Sequence, residues 1–222
     1  MGAATTLMEL VRAGARVAGQ VLLARSRADA RDTVERSNRA SRVLVDQIGD
    51  DITGFGGSQT MSRYGDLYSP SAAVHAAVRV RASAVARPPF RVQEVGADGG
   101  VSPVGAGHPL QVLLDHPNPF WTPSEMWHAT ETYLSLWGSA FWGLERDESG
   151  VVTEIWPLRS DRVRVLPDDK SYVRGFVYEH AGKRVASLPE EVVWFKHFNP
   201  VDEFAGVSSI APSRAAIEMA SS

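Results

Sequence analysis

The chain has 222 residues, of which 44% are hydrophobic and 22% charged, a composition typical of a globular protein that folds without disulfides or metals. It contains no cysteine, which excludes disulfides and thiolate metal sites, and its formal net charge of −3 gives no bulk electrostatic basis for wrapping nucleic acid. No apolar run approaches the roughly 20 residues of a membrane span, and the N-terminus lacks the pattern of a secretion signal.

Residues 1–48 predict a helical arm with no domain around it. Apolar residues lie near helical spacing between Leu7 and Leu22, and the second half of the segment is strongly polar. Eight arginines between Arg12 and Arg42 outnumber the acids, so the arm is basic while the remainder of the chain is acidic. Either the arm is a solvated or partly disordered segment, or it docks on a partner or on nucleic acid. Interspersed acids weaken the nucleic-acid alternative.

Residues 49–63 form a glycine-rich linker by composition, and residues 64–222 form the domain that follows it. The first predicted elements are a helix from Ser69–Pro70 to Pro88–Pro89 with Val74, Val78, Ala82 and Val85 on one stripe, a strand Phe90–Val95, and a connection Ala97–Gly107 that holds at most one weak returning strand. The domain is therefore expected to open with a helix and a weak hairpin.

The stretch from His108 to Leu158 carries the most specific local signals. Pro117 and Pro119 flank Asn118 and end a short apolar helix near Asp115, because proline lacks the amide donor and disfavours helix before it. The prolines therefore separate this short helix from the helix that follows it.

The next helix opens with a capping box formed by Thr122 and Glu125, with Pro123 at the first helical position. Its predicted apolar face consists of Met126, Trp127, Thr130, Tyr133, Leu134 and Trp137, with Phe141 continuing the seven-residue spacing. Small residues Gly138, Ser139 and Ala140 then allow close passage into a hairpin with strands Ala140–Glu145 and Val151–Trp156 around a turn Asp147–Gly150. The segment thus predicts a helix packed on a hairpin.

Short strands and a final helix complete the predicted domain. The strands are Arg162–Leu166, Tyr172–His180 and Glu191–His197, with turns at Pro167–Lys170 and Ala181–Gly182 and a corner at Leu188–Glu190. Tyr172 and Phe176 are the predicted inward residues of the second strand, with a register break at Gly175, and the third is apolar enough for a central strand. A helix begins near Ser209 with Ile210, Ile217 and Met219, and we expect the domain to be incomplete at its C-terminus. The predicted fold class is α+β, a small mixed or antiparallel sheet with packed helices behind an N-terminal helical arm.

Between Tyr64 and Ala220 a series of short motifs occurs in a specific order. They are His108-Pro109-Leu110, Leu113-Leu114, Pro117-Asn118-Pro119, Thr122, Glu125-Met126-Trp127, Gly138-Ser139-Ala140-Phe141, Glu154-Ile155-Trp156-Pro157-Leu158, Arg162-Val163, Leu188-Pro189, Glu191-Val192, Phe198, Pro200 and Gly206. In order and spacing the series resembles the portal proteins of tailed double-stranded DNA phages of the long-tailed siphovirus type. The chain departs from that pattern at Ser139, where Asn is usual, and at Val207–Ile210.

The resemblance implies a portal wing-like α+β region, whereas the family's stem helices, clip and pore-lining loop lie downstream. It implies a structural subunit without enzymatic activity or cofactor, in a homo-oligomeric ring, usually a dodecamer, at a capsid vertex of a virion assembled in the host cytoplasm. The implied partners are further copies of the chain, the major capsid protein, the head-tail adaptor, the terminase and the double-stranded DNA that passes during genome packaging and ejection; no membrane is implied. DNA-contacting residues stay unassigned. As a hypothesis, the basic arm Arg12–Arg42 docks on capsid or scaffold.

Residues suited to metal binding or catalysis occur in a few places, each with a plainer structural interpretation. His108, His116 and His128, with Asp115 nearby, have spacings that match no compact metal-ligand motif. Asp168-Asp169-Lys170 is similar to a nuclease acidic cluster, but it follows a proline between two strands, as polar turns do. We therefore expect neither a metal site nor an acidic catalytic site.

Nucleophile and nucleotide motifs are also missing from the sequence. Ser208 and Ser209 lack the glycines of a nucleophile elbow, and no glycine-rich loop ends in Lys-Ser or Lys-Thr as in a packaging ATPase. The sequence assigns no catalytic, cofactor-binding or metal-binding residue.

Core packing accounts for most of the six tryptophans, since Trp127 and Trp137 lie on the helix stripe and Trp156 and Trp194 are flanked by strand residues. Trp121 and Trp142 are the two predicted for a subunit interface, where aromatic residues are favoured. Two alternatives to a portal subunit stay open. One is a phage-encoded metal-dependent nuclease that uses the acidic turn, and the other is a monomeric, aromatic-rich interaction domain.

Overall fold

The computed structural model describes Tyr68, residues 71–180 and residues 183–213. Their helices are α1 (Ala72–Ala86), α2 (Pro109–Asp115) and α3 (Pro123–Trp137), and their strands are β1 (Gln93–Val95), β2 (Val101–Pro103), β3 (Ser139–Arg146), β4 (Val152–Leu158), β5 (Val163–Asp168), β6 (Tyr172–His180), β7 (Lys183–Ser187) and β8 (Val192–Lys196). The α+β prediction is confirmed. Four predicted features lie outside the described residues: the arm, the linker, the Ala181–Gly182 turn and the final helix. The last described element is a 3₁₀ turn at Ala211–Ser213. Within the described part, no helix is long and apolar enough to cross a membrane.

The strands form three separate antiparallel sheets, where the sequence predicts one. β1 pairs with β2, a first sheet has the order β4-β3-β8, and a second has the order β5-β6-β7. Successive side chains of β3 point to opposite faces of the first sheet. One face packs on the helices and the other on the second sheet. Trp142 packs with Met126 of α3, and Phe141 packs with Phe176 of β6.

Helix α1 begins at Ala72, so the predicted start at Ser69–Pro70 is wrong. Ser71 is the cap, because its backbone is extended and its hydroxyl accepts from the Val74 amide at 3.4 Å. The helix ends at Ala86, ahead of the proline pair as predicted. Of its predicted stripe, Val74, Val78 and Ala82 are buried, and they pack α1 against α3.

The strand predicted over Phe90–Val95 is shortened to Gln93–Val95. The buried Gln111 side chain takes the place of a neighbouring strand: its amide oxygen accepts from the Val92 amide at 2.8 Å and its amide nitrogen donates to the Phe90 carbonyl at 3.3 Å. The weak returning strand is confirmed as β2.

The signals of the central segment are confirmed locally. α2 ends at Asp115, the Thr122–Glu125 capping box is formed, and the β3–β4 hairpin turns at Asp147–Gly150. In each case the deciding interactions are made among residues that are neighbours in the sequence, which explains why they are predictable.

Strand β8 lies at the edge of the first sheet, so its predicted central position is wrong. The strand is apolar because its two aromatic residues pack on opposite faces, not because it has two neighbouring strands. Trp194 lies 6.0 Å from both Phe141 and Phe176 between ring centroids, and on the other face Phe195 lies 4.7 Å from Trp142.

The turn between β5 and β6 lies later than predicted, because β5 continues through Pro167 to Asp168. Tyr172, predicted to point inward, is 48% exposed and adopts a positive φ of 68°, since it closes this turn. Its ring lies 4.9 Å from that of Phe204. Phe176 is buried as predicted.

Two features of the second sheet depend on pairing. The register shifts between Leu166 and Pro167 opposite Arg174, one residue from the predicted break at Gly175. Strand β7 was not predicted, because Val185 and Ala186 are its only apolar residues and its structure comes from pairing with β6.

Candidate functional site

The end of α3 meets the segment Gly206–Ile210 through two glycines. We call this contact the exit joint. Gly138 ends α3 with a positive φ of 72°, its amide donates to the Leu134 carbonyl at 2.9 Å and its carbonyl accepts from the His197 amide at 2.8 Å. A Cβ on Gly138 would lie 2.4 Å from the Gly206 carbonyl carbon, and a Cβ on Gly206 would lie 1.8 Å from the Gly138 oxygen. The two backbones therefore cross at a distance that only glycine permits.

Serines extend the exit joint along α3. The Ser135 carbonyl accepts from the Ser209 amide at 3.0 Å and from the buried Ser208 hydroxyl at 3.1 Å. The Ser208 hydroxyl also accepts from the Ile210 amide at 3.2 Å. Ser208 thus has a structural role in fixing the chain beside the helix, as its lack of a nucleophile motif predicts.

An ion pair connects α1 to the same exit joint. Arg81 lies 2.9 Å from the largely buried Glu131 carboxylate and donates to the Ser209 hydroxyl at 3.0 Å. Glu131 also accepts from the Ser135 hydroxyl at 2.9 Å. Two helices and the segment leading to residue 213 are therefore held in one orientation.

The Pro117-Asn118-Pro119 motif binds the outer edge of β4. The Ile155 amide donates to the Pro117 carbonyl at 2.7 Å, and the Asn118 side-chain amide donates to the Ile155 carbonyl at 2.7 Å. The Asn118 oxygen accepts from the amides of Phe120 and Trp121 at 2.9 and 3.0 Å. The motif protects an edge strand and directs Phe120 outward.

A groove of about 440 Å³ runs along the first three turns of α3. We call it the α3 groove, and it is lined mainly by Tyr68, Trp121, Ser124, His128, Ala129 and Tyr133. Burial raises the pKa of Tyr133, whereas the Thr122 amide and hydroxyl, which donate to the Glu125 carboxylate at the rim, lower the pKa of Glu125. The groove is thus largely aromatic with an ionised carboxylate at one end.

The three most exposed large apolar side chains of the described residues lie at two places that the sequence did not identify. Phe120, 80% exposed, precedes α3, with its ring 5.8 Å from Trp156. Phe198, 84% exposed, and Val201, 92% exposed, follow β8 beyond the carboxyl end of α3. Both places lie beside prolines in aperiodic segments, which is the available sequence signal for side chains that no helix or strand covers.

The predicted histidines have separate structural positions. His108 caps α2 and accepts from the Leu110 amide at 3.3 Å, while His116 lies at the opposite end of the same helix. His128 lines the α3 groove, and Asp115 pairs with Arg91 at 3.4 Å. Among the described residues, no three His, Asp or Glu side chains come together as metal ligands.

The acidic turn has a structural explanation in Asp168. Its carboxylate accepts from the Ser171 hydroxyl and amide, both at 2.8 Å, and from the Lys170 amide at 3.1 Å. The hydrogen bond from the Ser171 hydroxyl, followed by those from the Ser171 and Lys170 amides, lowers the pKa of Asp168. The carboxylate is therefore used to close the β5–β6 turn.

The two tryptophans predicted for an interface have different environments. Trp142 is only 5% exposed, lies between Trp127 and Phe195, and donates its indole N–H to the Thr130 hydroxyl at 2.8 Å. It belongs to the core of this chain, so the interface prediction is wrong for Trp142. Trp121 is half-buried in the α3 groove, and an interface role stays a prediction.

Comparison with known proteins identifies one family. Residues 72–222 match the family model for phage portal protein. No curated protein matches the chain.

Three of the solved structures that match this chain illustrate the shared fold. A chain in the neck of an empty GTA particle, computed with C6 symmetry, has a TM-score of 0.64 and 23% identity over 76% of this chain and 44% of that chain. A chain in the virion of a native gene transfer agent (GTA) particle has a TM-score of 0.60 and 22% identity over 74% and 42%. A chain in the neck of a native GTA particle, computed with C12 symmetry, has a TM-score of 0.59 and 22% identity over 80% and 46%. This chain spans under half the length of each.

Proposed function

Because the chain belongs to the phage portal protein family, we propose that it supplies the wing-like region of a portal ring at one capsid vertex. Double-stranded DNA would pass through this ring during genome packaging and ejection. The observation that carries the proposal is the family match over residues 72–222, which contains every described element. In this region the motif residues have structural roles: Asn118 binds an edge strand, and Gly138 and Gly206 form a crossing.

Self-association is the activity that such a subunit requires. A ring of identical chains closes when each copy presents two different, complementary patches related by a rotation. A dodecamer is supported by the similar chain whose particle neck was computed with C12 symmetry. The major capsid protein, the head-tail adaptor and the terminase are the proposed neighbours, with the virion, assembled in host cytoplasm, as the location.

The proposed role is positioning, with ATP hydrolysis assigned to the separate terminase. The family is structural. A metal-dependent nuclease has no support in the described geometry, because Asp168 is engaged in its turn. A magnesium-dependent cleavage assay that compares the wild type with Asp168→Ala tests this: equal, background-level cleavage is expected, and cleavage lost only in the variant would contradict it.

The basic arm Arg12–Arg42 is proposed to dock on capsid or scaffold protein. Residues 1–48 carry a net charge of +3, whereas residues 49–222 carry −6, so the arm is the basic part of an acidic chain. Deleting residues 12–42 is expected to reduce incorporation of the protein into particles. Normal incorporation of the deletion variant would contradict this role.

The ring is tested by native mass measurement on the full chain together with localisation in particles. A closed assembly of many 24.1-kDa copies and a position at a single vertex are the expected results. A chain that stays at 24.1 kDa at all concentrations and is absent from virions would refute the proposal.

A further inference from the structure

The α3 groove is an aromatic surface that the described part of the chain leaves open. Its lining residues on α3 extend from Ser124 to Tyr133, about 14 Å along the helix axis at 1.5 Å per residue, and Trp121 precedes the helix. Tyr68 forms one wall, because it packs against the buried cluster between α1 and α3 and its ring lies 4.8 Å from that of His75. The groove therefore has a firm wall and suits an apolar helix or segment of matching length.

The chain itself supplies such a segment. The 67 residues that precede Tyr68 lead directly into the groove wall. Near their start, Leu7, Leu10, Val11, Val17 and Val21 recur at the spacing of one helix face. Residues 6–22 would extend about 24 Å as a helix, enough to cover the groove from end to end.

Charge favours the same occupant. Among the described lining residues Glu125 is the only acid, and hydrogen bonds from Thr122 that lower its pKa favour the ionised form. Arg12 and Arg16 accompany the apolar residues of the N-terminal segment, against the single acid Glu9. An arginine beside Glu125 would neutralise the carboxylate at the rim while leucine and valine side chains contact the aromatic floor.

We propose that residues 6–22 bind in the α3 groove of their own chain. Residues 23–67 number 45, and a chain of that length treated as a random coil has a root-mean-square length of roughly 37 Å, so the segment would reach this groove at a high effective concentration. Of the eight arginines of the basic arm Arg12–Arg42, Arg12 and Arg16 would lie at the groove, and the six from Arg25 to Arg42 would stay outside it and free for docking. Because the binding is within one chain, the proposal holds whether or not the chain forms a ring.

Thiol crosslinking on the full chain tests the assignment, because the protein has no cysteine of its own. Leu10→Cys is combined with Ser124→Cys, an exposed lining position, and treated with a short bismaleimide. The matched control combines Leu10→Cys with Val80→Cys, which is 70% exposed on α1. The Ser124 pair is expected to give about tenfold more intrachain product, because bound residues are held near each other.

Further variants separate the possible occupants. Adding Leu7→Asp and Val11→Asp to the Ser124 pair is expected to lower its product to the level of the control, with unchanged circular dichroism. Equal product at Ser124 and Val80 would overturn the proposal, as would product that forms only between two chains. A higher yield from Ile217→Cys with Ser124→Cys would assign the groove to the C-terminal segment and also overturn it. Native mass measured on the same samples reports the ring separately.

Discussion

Gly138 and Gly206 fix how α3 meets the segment that leaves the described domain. Each occupies the space where the other's Cβ would be, so neither tolerates a side chain without backbone movement. Serines on both sides add hydrogen bonds, and Arg81 and Glu131 add an ion pair from α1. The direction of the exit segment is thus determined by backbone contact, which is stiffer than contact between flexible side chains.

Replacing Gly206 with alanine is expected to lower the free energy of unfolding by about 3 kcal/mol, the upper range for overpacking a tight site. The new Cβ would lie 1.8 Å from the Gly138 carbonyl oxygen, a backbone atom that cannot rotate away. Urea denaturation measures the loss. Gly105→Ala is the control, because no heavy atom lies within 4 Å of its Cβ position and a change within about 0.5 kcal/mol is expected. Similar losses for both variants would contradict the crossing.

Glu125 makes the start of α3 sensitive to acid. Its pKa is lowered from 4.5 in the folded chain, so its contribution to stability is complete above pH 4.5 and is lost as the pH falls through the lower folded value. The difference in stability between wild type and Glu125→Gln should therefore shrink on acidification from about pH 6 to about pH 3. Urea midpoints at several pH values measure it. A difference that is constant over this range would exclude the carboxylate as the cause.

At the scale of elements, side-chain amides substitute for missing strand neighbours. Gln111 occupies the position of a strand beside residues 90–92, and Asn118 does so beside β4. Both amides donate and accept, as a peptide group does, so each satisfies backbone groups that would otherwise be unpaired. Small sheets with two or three strands depend on such substitutes because most of their strands are edges.

Asn118→Ala is expected to cost about 2 kcal/mol, because it removes three hydrogen bonds that include the one to Ile155 across two elements. Asn199→Ala is the matched control. Its side chain accepts from Val201 and Asp202 within one exposed loop, and a loss below about 1 kcal/mol is expected. Thermal or urea unfolding compares the two. An equal loss at both positions would mean that Asn118 acts only within its own turn.

These elements also show which parts of the fold the sequence predicts. The Thr122 capping box and the Asp147–Gly150 turn were predicted correctly because their hydrogen bonds join near neighbours. The sequence does not predict β7 or the edge position of β8, because both depend on strand pairing rather than on local sequence signals. The same limit applies to the candidate site. That residue 142 is a tryptophan does not reveal whether it lies in the core of the chain or at an interface.

At the scale of the whole molecule, the most exposed large apolar side chains of the described residues lie near opposite ends of α3. Phe120 precedes the helix, whereas Phe198 follows His197, whose amide donates to the Gly138 carbonyl at its far end. The helix between them is about 22 Å long, so the two patches cannot belong to a single small surface. Two separated patches are what a head-to-tail ring contact requires, whereas a two-fold dimer uses one patch twice.

This arrangement predicts complementation between two single variants. Phe120→Asp and Phe198→Asp are each expected to leave the isolated chain stable, because both side chains are at least 80% exposed, and to prevent ring growth. In a mixture, one variant keeps the patch that the other has lost, so one intact contact forms and native mass measurement should show a mixed dimer that stops there. Val80→Asp, on the exposed face of α1 and 70% exposed, is the control and should assemble as the wild type does. If both variants stay monomeric when mixed, the two patches do not contact each other, and the proposed ring would need another pair of surfaces.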